Sequence, residues 1–175
     1  GELVHVVHLI TLLNSADWEE CRNFVPRDSG TGRRVTETRA TRRFLTFLVG
    51  EEMCAVDLDR IDRVAEKSNI ADLPGGGLGR IIGMVDVGGS ITPVVDLRRA
   101  LGVENRPDGD CALVVVHVDS YRWALVVDSL DRILDIPVAT IEAVASSGDG
   151  FVSQIGRLDG RLISILTLDP LREAA

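Results

Sequence analysis

Two stretches of this chain occur twice, in the same order. VDLDRIDRV (Val56 to Val64) returns as VDSLDRIL (Val127 to Leu134). IGMVDVGGSITPVVDL (Ile82 to Leu97) returns as IGRLDGRLISILTLDPL (Ile155 to Leu171), with Gly156 in the place of Gly83. The step from Val56 to Val127 is almost the same as the step from Gly83 to Gly156. Two echoes at nearly one offset imply two copies of one unit within a single body. A copy of roughly 60 to 70 residues has only a modest core, so the two are expected to pack together and bury further apolar surface, at about 25 cal/mol per Å².

The unit is rich in strands. From Phe44 onward, short apolar runs alternate with turn residues: FLTFLV, GEE and MCAVDL first, then RIIGMVDV, ITPVV, ALVVVHV, RWALVV, FVSQIGRL and RLISIL. Gly, Asp, Ser or Pro stands at nearly every junction. Many short strands with few aromatic residues predict an all-β barrel or sandwich, here two small barrels side by side. Residues 1–24 form a mixed apolar extension of unassigned role. Residues 25–43 carry six arginines with scarcely any large apolar side chain, the composition of a solvated linker. The folded domain is therefore expected over 44–172.

Charge and cysteine content exclude several function classes. The net charge is −8 and Lys67 is the only lysine, which opposes binding to a nucleic-acid backbone. Cys21, Cys54 and Cys111 make an odd count without CxxC spacing, so a reducing, cytoplasmic setting is expected rather than a disulfide framework or a cysteine metal site. The longest apolar run, Leu3 to Leu13, falls far short of the roughly 20 residues that span a bilayer, and no basic leader precedes it. Direct membrane insertion is not expected.

Catalytic chemistry finds little support. His5 and His8 share HxxH spacing but lack a nearby third ligand. His117 lies in a valine-rich strand, where a hydrogen-bonded or half-exposed imidazole is expected rather than a base. Asp57, Asp96 and Asp128 each follow a valine at a strand end, the place for carboxylates that cap turns by accepting backbone N–H bonds. No serine lies in GxSxG or SxxK, and the glycines of LPGGGLGRIIG (Leu73 to Gly83) match no phosphate loop, reading instead as a turn. The remaining candidates are aliphatic: most of Ile61, Val64, Ile81, Ile82, Met84 and Val85 should be core, with a minority lining a groove for a partner helix.

From about Arg43 to Leu171 these motifs resemble the CheW-like domain of bacterial chemotaxis. FLTFLVGEEMCAVDLDRIDRV resembles the family's opening hairpin and the valine-rich segment after it. LPGGGLGRIIGMVDVGGSITPVVDL resembles its Pro-containing turn, G-x-[IV]-N-x-[RG] segment and PVVDL strand, with Gly83, Pro93 and Asp96 in register. ALVVVHVDSYRWALVVDSLDRIL and FVSQIGRLDGRLISILTLDPL resemble the second hairpin and the closing strands.

The resemblance implies two five-stranded barrels around a shared hydrophobic core, with short helices at connections and at the C-terminus. It also implies no catalysis, no cofactor, and a scaffold that joins the regulatory domain of a CheA-type histidine kinase to the cytoplasmic tip of a chemoreceptor. The implied receptor groove consists of Ile61, Val64, Val85, Asp86, Gly88 and Gly89. Two departures stand out. The family's Asn-Leu-Arg-Gly is here Asp86-Val87-Gly88-Gly89, so the receptor-facing arginine is missing, and Cys54 replaces the usual aromatic of the hairpin. The first departure opens an alternative, a diverged regulator or decoy that binds the kinase without the receptor. A small ligand-binding barrel or enzyme built on His117 and neighbouring carboxylates is the second alternative.

Overall fold

A computed structural model describes residues 40–66, 70–73, 80–103, 111–145 and 150–172. The extension 1–24, most of the 25–43 segment, His5, His8, Cys21, Lys67 and residues 74–79 lie outside the described residues. Among the described residues twelve strands are formed: β1 Thr41–Val49, β2 Glu52–Asp57, β3 Ile61–Glu66, β4 Ala71–Asp72, β5 Ile81–Val87, β6 Ser90–Asp96, β7 Ala112–Val118, β8 Tyr121–Val127, β9 Ser129–Pro137, β10 Ile141–Ala143, β11 Val152–Leu158 and β12 Arg161–Leu166. Short helices α1 Leu97–Leu101 and α2 Asp169–Arg172 follow β6 and β12.

The two copies are interwoven rather than set side by side. One sheet has the order β10-β11-β12-β2-β1-β9, and the other has the order β3-β7-β8-β6-β5-β4. The opening hairpin β1–β2 therefore sits among strands of the second copy, while β7–β8 sits among strands of the first. Two parallel pairings, β12 with β2 and β6 with β8, stitch the exchange together. Each sheet has six strands and remains open among the described residues, in place of the expected five-stranded barrels. The edges account for this: β4 has two residues and β10 three, too short to build a closing ladder against β3 or β9.

Alternation along the strands builds the core in three parts. Leu113 and Val115 face inward within the second sheet, beside Val85, Val87, Val94, Ala124 and Val126. Val114, Val116 and Val118 point the other way and join Leu45, Phe47, Val56, Leu125 and Trp123 between the sheets. Phe44, Ala55, Ile136, Ile163 and Ile165 fill the curl of the first sheet. Burial on both faces explains the continuous valine run of β7, which shows no polar alternation.

The chain enters β1 at Thr41, so Thr41 to Arg43 are strand and not linker. Arg42 is held there by pairing opposite Ile136 and by an ion pair with Asp57 at 2.6 Å. Gly83 lies within β5, not in a turn. A Cβ at this position would stand 2.6 Å from the Ala71 carbonyl oxygen and 2.5 Å from Ile70 Cγ2, so β4 can approach β5 only over glycine.

Cys54 is buried directly opposite Phe47, whereas in the second hairpin Trp123 is opposite Val116. The two pairs occupy corresponding places in the two copies. Large and small residues have exchanged strands, so Phe47 supplies the bulk that Cys54 lacks. Burial, reinforced by the nearby Glu52 carboxylate, pushes the Cys54 thiol up to about 12.

Candidate partner-binding site

The six groove residues divide into two groups. Ile61, Val64 and Val85 are buried, the first two in the core between the sheets and the third in the core of the second sheet. They support a surface and do not form one, because alternation along β3 and β5 turns them inward. Asp86, Gly88 and Gly89 are exposed at the β5–β6 turn. Both glycines have positive φ, +61° and +83°, as a two-residue hairpin turn of this hand requires. The Asp86 carboxylate accepts the Gly89 N–H at 2.8 Å and fixes the turn. Next to it, opposite Asp86, Ile91 is 73% exposed.

The remaining surface at this end comes from side chains that sequence patterning passed over. A bulge in β3 inserts Asp62 between Ile61 and Arg63, which oppose consecutive residues Val116 and Val115 on β7. Asp62 Oδ1 is 3.1 Å from His117 Nε2, and its Oδ2 is 3.5 Å from Arg63 Nε and 3.6 Å from Arg122 Nε. Arg63 then reaches across the end of the curled sheet to the turn, where a Cβ on Gly88 would lie 2.9 Å from its Nη1. Arg63 and Arg122 were hidden by their spacing: one lies within β3 and the other near the start of β8, far apart in the chain, and only the sheet brings them together on Asp62. His117 is half-exposed and hydrogen-bonded, as its valine-rich strand implied. Its partner is a carboxylate already shared by two guanidinium groups, which is a structural ion cluster rather than a poised base.

All three strand-end aspartates accept backbone N–H bonds. Asp57 Oδ1 takes Asp59 N at 3.3 Å, Asp96 Oδ1 takes Arg98 N at 3.0 Å and so caps α1, and Asp128 Oδ2 takes Gly50 N at 2.5 Å. Among the described residues no group of three or more His, Cys, Asp or Glu is arranged to hold a metal ion, and no helix is long and apolar enough to cross a membrane. A polar cavity of about 390 Å³ lies beside α2, lined by Arg42, Asp57, Arg60, Gln154, Asp169 and Arg172 among others. Its arginines 42 and 172 are already paired, with Asp57 and with Asp119 and Asp169.

Known proteins place this arrangement. The chain is 28% identical over 132 residues to the chemotaxis protein CheW of Thermotoga maritima, covering 74% of this chain and 86% of that protein. It is 24% identical over 148 residues to the chemotaxis protein CheW of Rhizobium meliloti, covering 79% and 95%. Its fold is similar to the crystal structure of the scaffolding protein TtCheW from Thermoanaerobacter tengcongensis, with TM-score 0.68 and 25% identity over 74% of this chain and 90% of that one. The CheW-like domain family model matches residues 43–175, which is most of the chain, and the protein belongs to the CheW-like domain family.

Proposed function

We propose that this protein is a non-catalytic cytoplasmic scaffold that couples the regulatory domain of a CheA-type histidine kinase to the cytoplasmic tip of a chemoreceptor. The observation that carries this reading is the β5–β6 turn. Asp86, Gly88, Gly89 and the 73%-exposed Ile91 form an exposed hairpin tip held by the Asp86–Gly89 hydrogen bond, with Val85 buried in the sheet core next to it. A rigid, partly apolar projection suits docking of a preformed helical partner, since little side-chain entropy is lost on contact. Family membership and the scaffolding relative support the same role. Calorimetry against the kinase regulatory domain and the receptor tip from the same organism tests it. Micromolar binding to both, without turnover, is expected, and binding to neither sinks the reading.

One observation favours a second reading, a diverged regulator that binds the kinase alone. Gly88 offers no side chain where the family carries its receptor-facing arginine, and its φ of +61° disfavours restoring one. Kinase binding with no measurable receptor binding would select this reading.

A further inference from the structure

We propose that the end of the β11–β12 hairpin is a self-association surface, through which two molecules of this protein meet about a two-fold axis with Leu162 against Leu162. The inference does not depend on the coupling role. Among the described residues four large apolar side chains stand exposed, Ile91, Tyr121, Val138 and Leu162. Leu162, 59% exposed near the start of β12, opposes Arg157 on β11. On its other side, continuing the β12–β2 register two residues back from Ser164 and Cys54 sets Leu162 beside Glu52. Side chains level with one another on adjacent strands share a face, so Arg157, Leu162 and Glu52 form a row across three strands. Arg157 and Glu52 are both exposed, and neither makes an ion pair or hydrogen bond among the described residues.

The hairpin of the second sheet supplies the comparison. Its turn is Gly88-Gly89, where β11–β12 has Asp159-Gly160, also with positive φ, +49° and +78°. Ile91 stands in the place of Leu162, opposite Asp86, and continuing the β6–β8 register three residues back from Val94 and Ala124 sets Tyr121 on its other side. That row has one charge, and the Asp86 carboxylate already accepts the Gly89 N–H. Two such rows face to face would set Asp86 against Tyr121 and form no ion pair. The row of Arg157, Leu162 and Glu52 carries one charge of each sign and is its own complement.

Self-complementarity is what an isologous contact requires. A two-fold axis along β12 through Leu162 exchanges the ends of the row, so Arg157 of each molecule meets Glu52 of the other. The leucines then close an apolar centre inside a charged rim, and the two ion pairs fix the register. With three side chains from each molecule the contact lies at the small end of specific interfaces, so a weak, concentration-dependent dimer is expected, with Kd roughly 0.1 to 1 mM. It shares no residue with the β5–β6 turn. A dimer therefore carries two such turns and can hold two partners at once, which raises the avidity of each.

Sedimentation of the full chain from about 10 μM to about 1 mM, in low and high salt, tests this, with variants at exposed positions whose melting temperatures confirm folding. The dimer fraction should rise with concentration and fall with salt. Leu162→Asp, Arg157→Glu and Glu52→Arg should each weaken association by about tenfold or more, because each charge reversal sets like charges face to face twice. Arg157→Glu combined with Glu52→Arg exchanges the ends of the row and should associate within about threefold of the parent, a recovery that a merely structural effect would not give. Ile91→Asp should associate as the parent does. A parent that stays monomeric at about 1 mM overturns the proposal, as do single reversals that associate like the parent, a double variant that shows no recovery, or a loss in Ile91→Asp. None of these outcomes bears on the coupling role, which is read from partner binding instead.

Discussion

Asp57 and Asp128 are each the aspartate of a Val-Asp pair at the end of a hairpin, yet they lie in different surroundings. Asp128 is largely covered, pairs with the buried Arg98 of α1 and accepts the Gly50 N–H, with side chains 11% and 9% exposed across the pair. Asp57 pairs with Arg42 at a half-open edge, 39% and 27% exposed, beside the 390 Å³ cavity. One corner is closed by α1 and the β1–β2 turn, and the other is left open by the shorter α2. The same dipeptide sets a carboxylate near the end of each hairpin, and the packing around it decides what that carboxylate is worth.

The largest expected effect breaks the closed corner. Asp128→Asn should cost about 3–5 kcal/mol in urea unfolding, because Arg98 is left buried and unpaired, whereas Arg98→Met with Asp128→Leu should recover much of it. A small loss in the single variant would mean that water reaches the corner and that it is no more closed than its counterpart.

Next come the two glycines of the second sequence echo. Gly83→Ala should cost about 1–3 kcal/mol, since its Cβ meets backbone, while Gly156→Ala meets only the side-chain ends of Ile165 and Ile136 at 3.3 and 3.4 Å. For Gly156→Ala a change within about 0.5 kcal/mol is expected, the lower backbone entropy of alanine offsetting mild crowding. Equal costs at the two sites would show that β4 does not restrict Gly83.

Cys54 and its counterpart Trp123 differ in titration. The Cys54 thiol is held neutral up to about 12 in the folded chain, against an ordinary value of 9.0. Stability is therefore unaffected below pH 9. Above it the unfolded chain releases a proton that the folded chain keeps, so stability should fall by about 1.4 kcal/mol per pH unit until about pH 12. Cys54→Ala should remove that increment from the alkaline slope, and an unchanged slope would show that Cys54 is not its source. The smallest effect belongs to the open corner: Asp57→Asn should cost about 0.2–1 kcal/mol, less in high salt.

Much of the fold was legible because alternation and turn residues act locally. ALVVVHV and RLISIL coincide with β7 and β12, and the capping of Asp57, Asp96 and Asp128 followed from their positions at strand ends. β9 was less visible as a strand, because Asp131, Arg132 and Asp135 interrupt its apolar pattern at the bulge and along the edge. The exchange of hairpins was not legible, since period-2 patterning determines which face is buried but not which strand lies alongside. The site divided for the same reason. Asp86, Gly88 and Gly89 entered through the family resemblance and lie exposed at the β5–β6 turn, Ile61, Val64 and Val85 are core as their aliphatic character implied, and the approach of Arg63 to Gly88 arises only from the tertiary fold.

The exchanged hairpins bear on how such a chain can come to exist. A single copy of this unit would hold a hairpin with no sheet to join and a sheet lacking its central strands, complete only when a second molecule lends the missing piece in return. The present chain has the form of such a mutual loan between two similar halves, made permanent by the peptide that joins the end of one to the start of the other. Within one chain the two halves need not stay alike, and they differ at the tryptophan on one side and the cysteine on the other, and at the glycine and aspartate of the two turns.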